Sequence, residues 1–182
     1  MTENSKSYAM IIDFITGREL PNIGAEENRQ ALEQFLVNSK GYSKADIEVD
    51  ADIDLTIAGE PYRSQVDLVV SIDSGKTRFM AVKCAAGSLG SREREIVSAA
   101  RLLDNHQIPV SVVSDGQSAI VLDTVSGKRM AEGLDAIPSK EEAQRQLTST
   151  ELVPLPEERR EREQLIFRTY DSDNVNVKRK MV

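Results

Sequence analysis

The sequence predicts an α/β fold in which helices flank a mixed central β-sheet, followed by a C-terminal helical appendage. Three features support this class. Two segments carry apolar residues at helical spacing, three strand-like runs lie between them, and two further apolar runs follow the second segment. Because the first of those last strands is reached through a helix, we expect it to run parallel to its sheet neighbour.

The first helix is predicted over residues 25–40. Its apolar residues recur at spacings of three and four, and they are Ala31, Leu32, Phe35 and Leu36. Gly41 follows where a left-handed C-terminal cap belongs. Glu27 lies in one row with two of these residues, Ala31 and Phe35, whereas Glu26 and Glu33 lie on a polar face. The pattern therefore predicts that Glu27 faces the packed side.

Three strands are predicted next, as a meander. Ile47–Ile57 alternates apolar with acidic or polar residues, which is typical of a half-exposed strand. Residues 66–72 and 78–84 form the second and third strands, joined by a turn that ends at Gly75. Ala81 and Lys83 are expected to share one face of the third strand.

A loop of small residues at 85–90 leads into the second helix. The apolar stripe of this helix comprises Ile96, Ala99, Ala100 and Leu103. Glu93 and Glu95 flank that stripe in the first turns. Residues 109–115 and 118–123 then predict the last two strands.

The C-terminal part is predicted to contain two further helices. Ser139 and Glu142 form a capping-box pattern, and a charged helix follows Pro156. We divide the chain into an N-terminal arm (1–23), a main domain (24–138) and a helical extension with a tail (139–182). An apolar cluster ends the charged helix and is expected to be buried, on the domain or across a homodimer: Leu165, Ile166, Phe167 and Tyr170.

Composition narrows the possible functions. The chain has 182 residues, 40% of them hydrophobic, and its single cysteine and single histidine exclude disulfides, cysteine-based zinc cages and multi-histidine metal sites. No apolar run approaches the roughly 18 residues of a membrane span, and the start lacks a secretory signal, so we expect a cytoplasmic protein. The net charge of −7 argues against a broadly basic surface for nucleic acid.

Charge is unevenly distributed along the chain. Between Lys76 and Arg101 there are six basic residues against two glutamates. This stretch predicts either a basic patch on an acidic protein or an ordinary solvated face. The loop before the second helix also offers backbone N–H groups to an anion, although a plain connection is the alternative.

Four short segments, in this order, carry a family resemblance. They are the helix GAEENRQALEQFLVNSKGY, which contains Glu27, the strand SQVDLVV, which contains Asp67, the strand FMAVKC, which contains Lys83, and the closing segment VVSDGQSAIVLDTVSGK. In order, spacing and predicted secondary structure they resemble the N-terminal domain of type I restriction enzyme R subunits, a family of PD-(D/E)XK nucleases. The resemblance extends over residues 24–128. It implies a restriction-endonuclease-like core that acts on DNA.

The resemblance also implies site residues. Asp67 would be a bridging ligand of Mg²⁺, and Glu27 would be a further ligand or an orienting acid. Mn²⁺ is the expected substitute for Mg²⁺. Lys83 would be the catalytic lysine that stabilises developing charge. Contacts to DNA are expected from the loop and the start of the second helix, at Ser88, Ser91, Arg92 and Arg94.

One position departs from the family pattern. Two residues before the lysine the family has Glu or Asp, whereas this chain has Ala81, which offers no oxygen. Glu95, or less favourably Glu93, is the candidate to supply a migrated carboxylate from the second helix, as catalytic residue and metal ligand. Surface ion pairs with Arg92 and Arg94 are the alternative for these glutamates.

Three functions stay open at this point. The first is a Mg²⁺-dependent endodeoxyribonuclease with a rearranged site. The second is a nuclease-fold protein that no longer cleaves and serves in nucleic-acid binding or assembly, and the third is a scaffold without nucleic acid. No helicase motor fits in 182 residues, so helicase or other restriction-modification subunits would be separate partners.

Overall fold

The computed structural model describes residues 8–172. The strands are β1 (Met10–Ile12), β2 (Glu19–Pro21), β3 (Ile47–Ile57), β4 (Glu60–Ile72), β5 (Thr77–Cys84), β6 (Val110–Ser114), β7 (Ala119–Asp123) and β8 (Arg129–Glu132). The helices are α1 (Glu26–Asn38), α2 (Glu93–Leu102), α3 (Lys140–Ser149) and α4 (Glu157–Ser172). The predicted arm and tail extend into residues 1–7 and 173–182, which lie outside the described residues.

The central sheet has six strands in the order β3-β4-β5-β6-β7-β8. Every neighbouring pair is antiparallel except β5 and β6, which are parallel because α2 carries the chain back between them. The predicted mixed α/β fold is thereby confirmed. The sequence pattern did not predict β8, because all four of its residues are exposed and it forms an edge of the sheet. β1 and β2 form a separate small hairpin.

Apolar side chains cover both faces of the sheet. One cluster joins the sheet to α2 and α4, and the other joins it to α1 and α3. Alternation along β5 places Ala81 in the first cluster and its neighbours Met80 and Val82 in the second. Ala81 therefore faces α2, and Lys83, two residues further along β5, lies on the same side and contacts Glu95 of that helix.

The predicted orientation of α1 is wrong. Glu27 is exposed and accepts a hydrogen bond from Asn22 Nδ2 at 2.6 Å. The buried face instead includes the two glutamates that were assigned to the polar side, Glu26 and Glu33. Both lie close to the buried guanidinium of Arg29, so contacts between polar side chains replace apolar periodicity on this face.

Helix α4 packs against α2 and β3. Phe167 is buried in the core cluster on that side, as predicted, and Ile166 and Tyr170 are half-buried. Leu165 is 49% exposed, so the prediction that it is buried is wrong: it lies on the solvent side of the helix.

Two carboxylates of α4 are buried, those of Glu163 and Asp171. Glu163 accepts hydrogen bonds from Ser98 and Arg101 of α2, and Asp171 accepts them from Tyr62 and Ser64 of β4. No helix among residues 8–172 is long and apolar enough to cross a membrane.

Removing the Phe167 ring should loosen this packing. We expect Phe167→Ala to lower the free energy of unfolding by about 3–5 kcal/mol, because a fully buried aromatic side chain is lost and a cavity remains. Urea denaturation measures the change. Leu165→Ala is the matched control on the solvent side of the same helix and should cost less than about 1 kcal/mol. Equal effects of the two variants would contradict the packing of α4.

Candidate active site

Three ionisable side chains of the predicted site meet beneath α2. Lys83 Nζ lies 3.1 Å from Glu95 Oε1 and 3.5 Å from Asp67 Oδ2. All three residues are at most 5% exposed. The ammonium group therefore lies between two carboxylates in a buried cluster, here called the Lys83 triad.

Strand register accounts for two members of the triad. Leu68 of β4 pairs with Val82 of β5, so Asp67 and Lys83 lie opposite one another at the next position of this antiparallel ladder. Opposed residues place their side chains on the same face of the sheet. Asp67 Oδ2 also accepts a hydrogen bond from the backbone N–H of Cys84 at 2.7 Å, which fixes its carboxylate at the end of β5.

Glu95 completes the triad from the first turn of α2. Its second oxygen, Oε2, accepts a hydrogen bond from Arg92 Nη1 at 3.2 Å. Burial raises the pKa of Glu95, and the nearby ammonium of Lys83 opposes that rise. For Lys83 burial lowers the pKa, but Asp67 and Glu95 outweigh it, so the net direction is upward. The geometry thus favours a charged lysine held by carboxylates.

The donor set of the triad does not fit a resident Mg²⁺. A hard divalent cation needs several oxygen ligands, and the triad supplies two carboxylates with an ammonium between them. Ala81, at the position where the resemblance implies a carboxylate, is fully buried in the apolar cluster. Within residues 8–172, no group of three or more His, Cys, Asp or Glu side chains is arranged to hold a metal ion.

Comparison with protein families decides the assignment. The model of the family "Type I restriction enzyme R protein N terminus" matches residues 24–138. The chain belongs to this family. Comparisons with curated proteins and with solved structures gave no significant match. The matched range includes β4, β5 and α2, the three elements that carry the Lys83 triad.

The other predicted site residues lie apart from the triad. Glu27 is exposed on α1 and does not converge with Asp67 and Lys83, contrary to the prediction. In the loop before α2, Ser91 Oγ donates a hydrogen bond to the carbonyl oxygen of Ser88 at 2.8 Å, and both residues are exposed. Arg94 is also exposed, whereas Arg92 is engaged with Glu95. Glu93 pairs with Arg129 of β8 and not with the triad. Roles in metal or DNA binding stay predictions.

Sequence reasoning missed a second buried charged cluster, centred on Arg29 of α1. Its guanidinium contacts Asp13 at 3.0 Å, Glu26 at 2.5 Å, Glu33 at 3.7 Å and Asp50 at 3.6 Å. Gln30 donates to Asp13 and Glu26. The spacing of Glu26, Arg29 and Glu33 along one helical face was the available signal, since residues three and four apart are neighbours.

Glu33 differs from the other carboxylates of the Arg29 cluster in its hydrogen bonding. It is fully buried, and neither oxygen has a hydrogen bond of ordinary geometry to the described residues. Burial raises the pKa of Glu33 to about 8, with a further rise from Asp13 and Glu26, while Arg29 and the nearby Ile15 backbone act in the opposite direction. The folded state therefore favours a protonated Glu33 at neutral pH.

Glu33 should make stability depend on pH. Its folded-state pKa of about 8 lies above the ordinary 4.5, so its contribution is complete below about pH 4.5 and is lost as pH rises through 8. Glu33→Gln removes this dependence. We expect the variant to gain on wild type by up to about 1.4 kcal/mol per pH unit between pH 5 and 8. Urea denaturation across that range measures the gain. Glu161→Gln, an exposed control on α4, should show a constant difference; a flat difference for Glu33→Gln would disprove the shift.

Removing the lysine should expose the repulsion within the triad. We expect Lys83→Met to destabilise the protein by about 3–5 kcal/mol at pH 7, because two buried carboxylates lose their cation. Adding Glu95→Gln to this variant should restore part of the stability, since one uncompensated charge is then gone. Urea denaturation of the single and double variants tests both statements. Additive losses would show that Lys83 and Glu95 do not interact.

Proposed function

We propose that the chain is a DNA-binding module of a restriction system, with a nuclease fold whose metal site has been replaced by the Lys83 triad. The observation that carries the proposal is the position of the Lys83 ammonium, 3.1 Å and 3.5 Å from the two carboxylates that a metal would need. A lysine held between two carboxylates is not free to assist an attacking water. The module binds DNA and does not hydrolyse it.

Binding to DNA draws support from the family and from exposed cations near the triad. Restriction enzymes act on DNA, and the chain belongs to the R-protein N-terminal family. Arg94, in the first turn of α2, is exposed and forms no ion pair with any of residues 8–172. Because the net charge is −7, such binding is local and strongly dependent on salt. Ser88 and Ser91 are secondary contacts in this proposal.

Mg²⁺-dependent hydrolysis is the second candidate. Glu95 favours it, because its carboxylate reaches the site beside Asp67 and replaces the oxygen ligand that Ala81 lacks. The cation would then have to displace the Lys83 ammonium from between the carboxylates. Separately encoded restriction-modification or helicase subunits are the expected partners of either candidate, and a homodimer stays an untested expectation.

A metal titration with plasmid nicking separates the two candidates. We expect wild-type protein to bind duplex DNA, to bind no Mg²⁺ or Mn²⁺ in calorimetry and to leave plasmid intact. Robust metal-dependent nicking by the unmodified protein, abolished by Lys83→Ala and by Glu95→Ala, would overturn the proposal in favour of hydrolysis. Glu93→Ala is the control for a glutamate of the same helical turn that lies outside the triad.

Ala81→Glu tests whether the site can be rebuilt. The new carboxylate would lie beside Asp67 and repel it, so the variant should be less stable in chelator and recover when Mg²⁺ is added. Ala81→Gln has the same size without the charge and should show no recovery. If Mg²⁺ fails to stabilise Ala81→Glu more than Ala81→Gln, the triad is not a replaced metal site.

A further inference from the structure

A cleft outside the triad has a surplus of positive charge. It has a volume of about 360 Å³ and lies between α2, α4 and the turn from β7 to β8. Its charged lining residues are Glu93, Arg94, Arg101, Arg159, Arg162 and Glu163. Four arginines thus face two glutamates on a protein of net charge −7. We call this feature the arginine cleft.

The carboxylates of the arginine cleft already have partners. Glu163 is buried and pairs with Arg101 at 2.7 Å, and Arg101 in turn donates to the carbonyl oxygen of Thr124. Glu93 pairs with Arg129, which comes from β8 outside the cleft. Arg101 and Arg129 therefore neutralise both carboxylates, which leaves no negative charge in the cleft to neutralise its other arginines.

The remaining arginines are available to a ligand. Arg94 and Arg162 are exposed and form no ion pair or hydrogen bond within residues 8–172. Arg159 is exposed and lies 3.6 Å from Glu163, whose charge Arg101 already neutralises. Guanidinium groups bind phosphate oxygens through paired N–H donors, and several of them in one concave site suit a ligand with adjacent phosphates.

We propose that the arginine cleft binds adjacent phosphate groups through Arg94, Arg159 and Arg162. The volume suits a ligand larger than one inorganic phosphate, such as two or three linked phosphates. Two sources share this chemistry, the backbone of a nucleic-acid strand and a free nucleoside polyphosphate. The first source rests on the proposed function, whereas the phosphate site does not, because no residue of the Lys83 triad lines the cleft.

The cleft combines parts of different origin. Arg94 belongs to the segment that matches the family, 24–138, whereas Arg159 and Arg162 lie on α4, beyond that match. The packing of Phe167 and the buried Glu163 hold α4 at the distance that leaves the cleft open. Helix α4 therefore adds a binding function to the domain as well as stabilising it.

The double variant Arg94→Ala/Arg162→Ala tests the site in the full chain. Neither side chain has a partner in the described fold, so the melting temperature should not change. Arg145→Ala, an exposed arginine of α3 on the other side of the sheet, is the charge control. The probes are tripolyphosphate and ATP in calorimetry, and fluorescein-labelled duplex and single-stranded DNA in anisotropy. We expect the double variant to lose at least about tenfold in affinity and about two units of salt slope for DNA, and Arg145→Ala to lose little.

Each outcome assigns or overturns the site. DNA binding weakened by the double variant and competed by tripolyphosphate supports a nucleic-acid backbone as the ligand. Binding of ATP and tripolyphosphate alone, lost in the double variant, supports the cleft as a nucleotide site and overturns DNA binding as the function. DNA binding unchanged in the double variant overturns the cleft and the contribution of Arg94, and leaves DNA binding itself as the function. No binding of any probe overturns both.

Discussion

The electrostatic balance of the Lys83 triad constrains the structure around it. Asp67, Lys83 and Glu95 come from β4, β5 and α2, and each is buried. Such groups tolerate removal from water only when each charge meets an opposite charge at close range. The two strands must therefore keep their register, and the loop after β5 must bring the first turn of α2 back over the end of that strand. A shift of one residue in β4 would turn Asp67 to the other face of the sheet.

Hydrophobic pattern predicted most of the sheet and failed where burial depends on charge. β3 to β7 and α2 follow it because most of their buried positions are apolar, whereas the choice of Glu95 came from the family resemblance and not from the pattern. α1 could not be oriented in this way, since its buried face includes Glu26, Arg29 and Glu33, which read as solvated in sequence. The strand β8 has no buried face at all.

Helix α4 also buries charged residues that a hydrophobic pattern cannot identify. Glu163 and Asp171 belong to its charged sequence, yet each is only 3% exposed. The hydrogen bonds to these two carboxylates come from α2 and β4, which are remote from α4 in sequence. The donors are Ser98 and Arg101 for Glu163, and Tyr62 and Ser64 for Asp171. A pattern within the helix cannot reveal them. Polar contacts of this kind specify one position of α4, whereas Phe167 supplies most of its apolar burial.

Burial of the triad also determines where a polyanion can contact this protein. Lys83 is 5% exposed and its charge is neutralised by two carboxylates, so it offers little attraction to a phosphate outside. Arg92 is likewise engaged with Glu95. In our proposal the attraction comes from basic side chains whose charge is not neutralised within the fold, of which Arg94 lies nearest the triad in sequence. In the proposed arginine cleft a few cations attract a polyanion on a protein of net charge −7, and such a local attraction orients the polyanion more strictly than a broad basic face would.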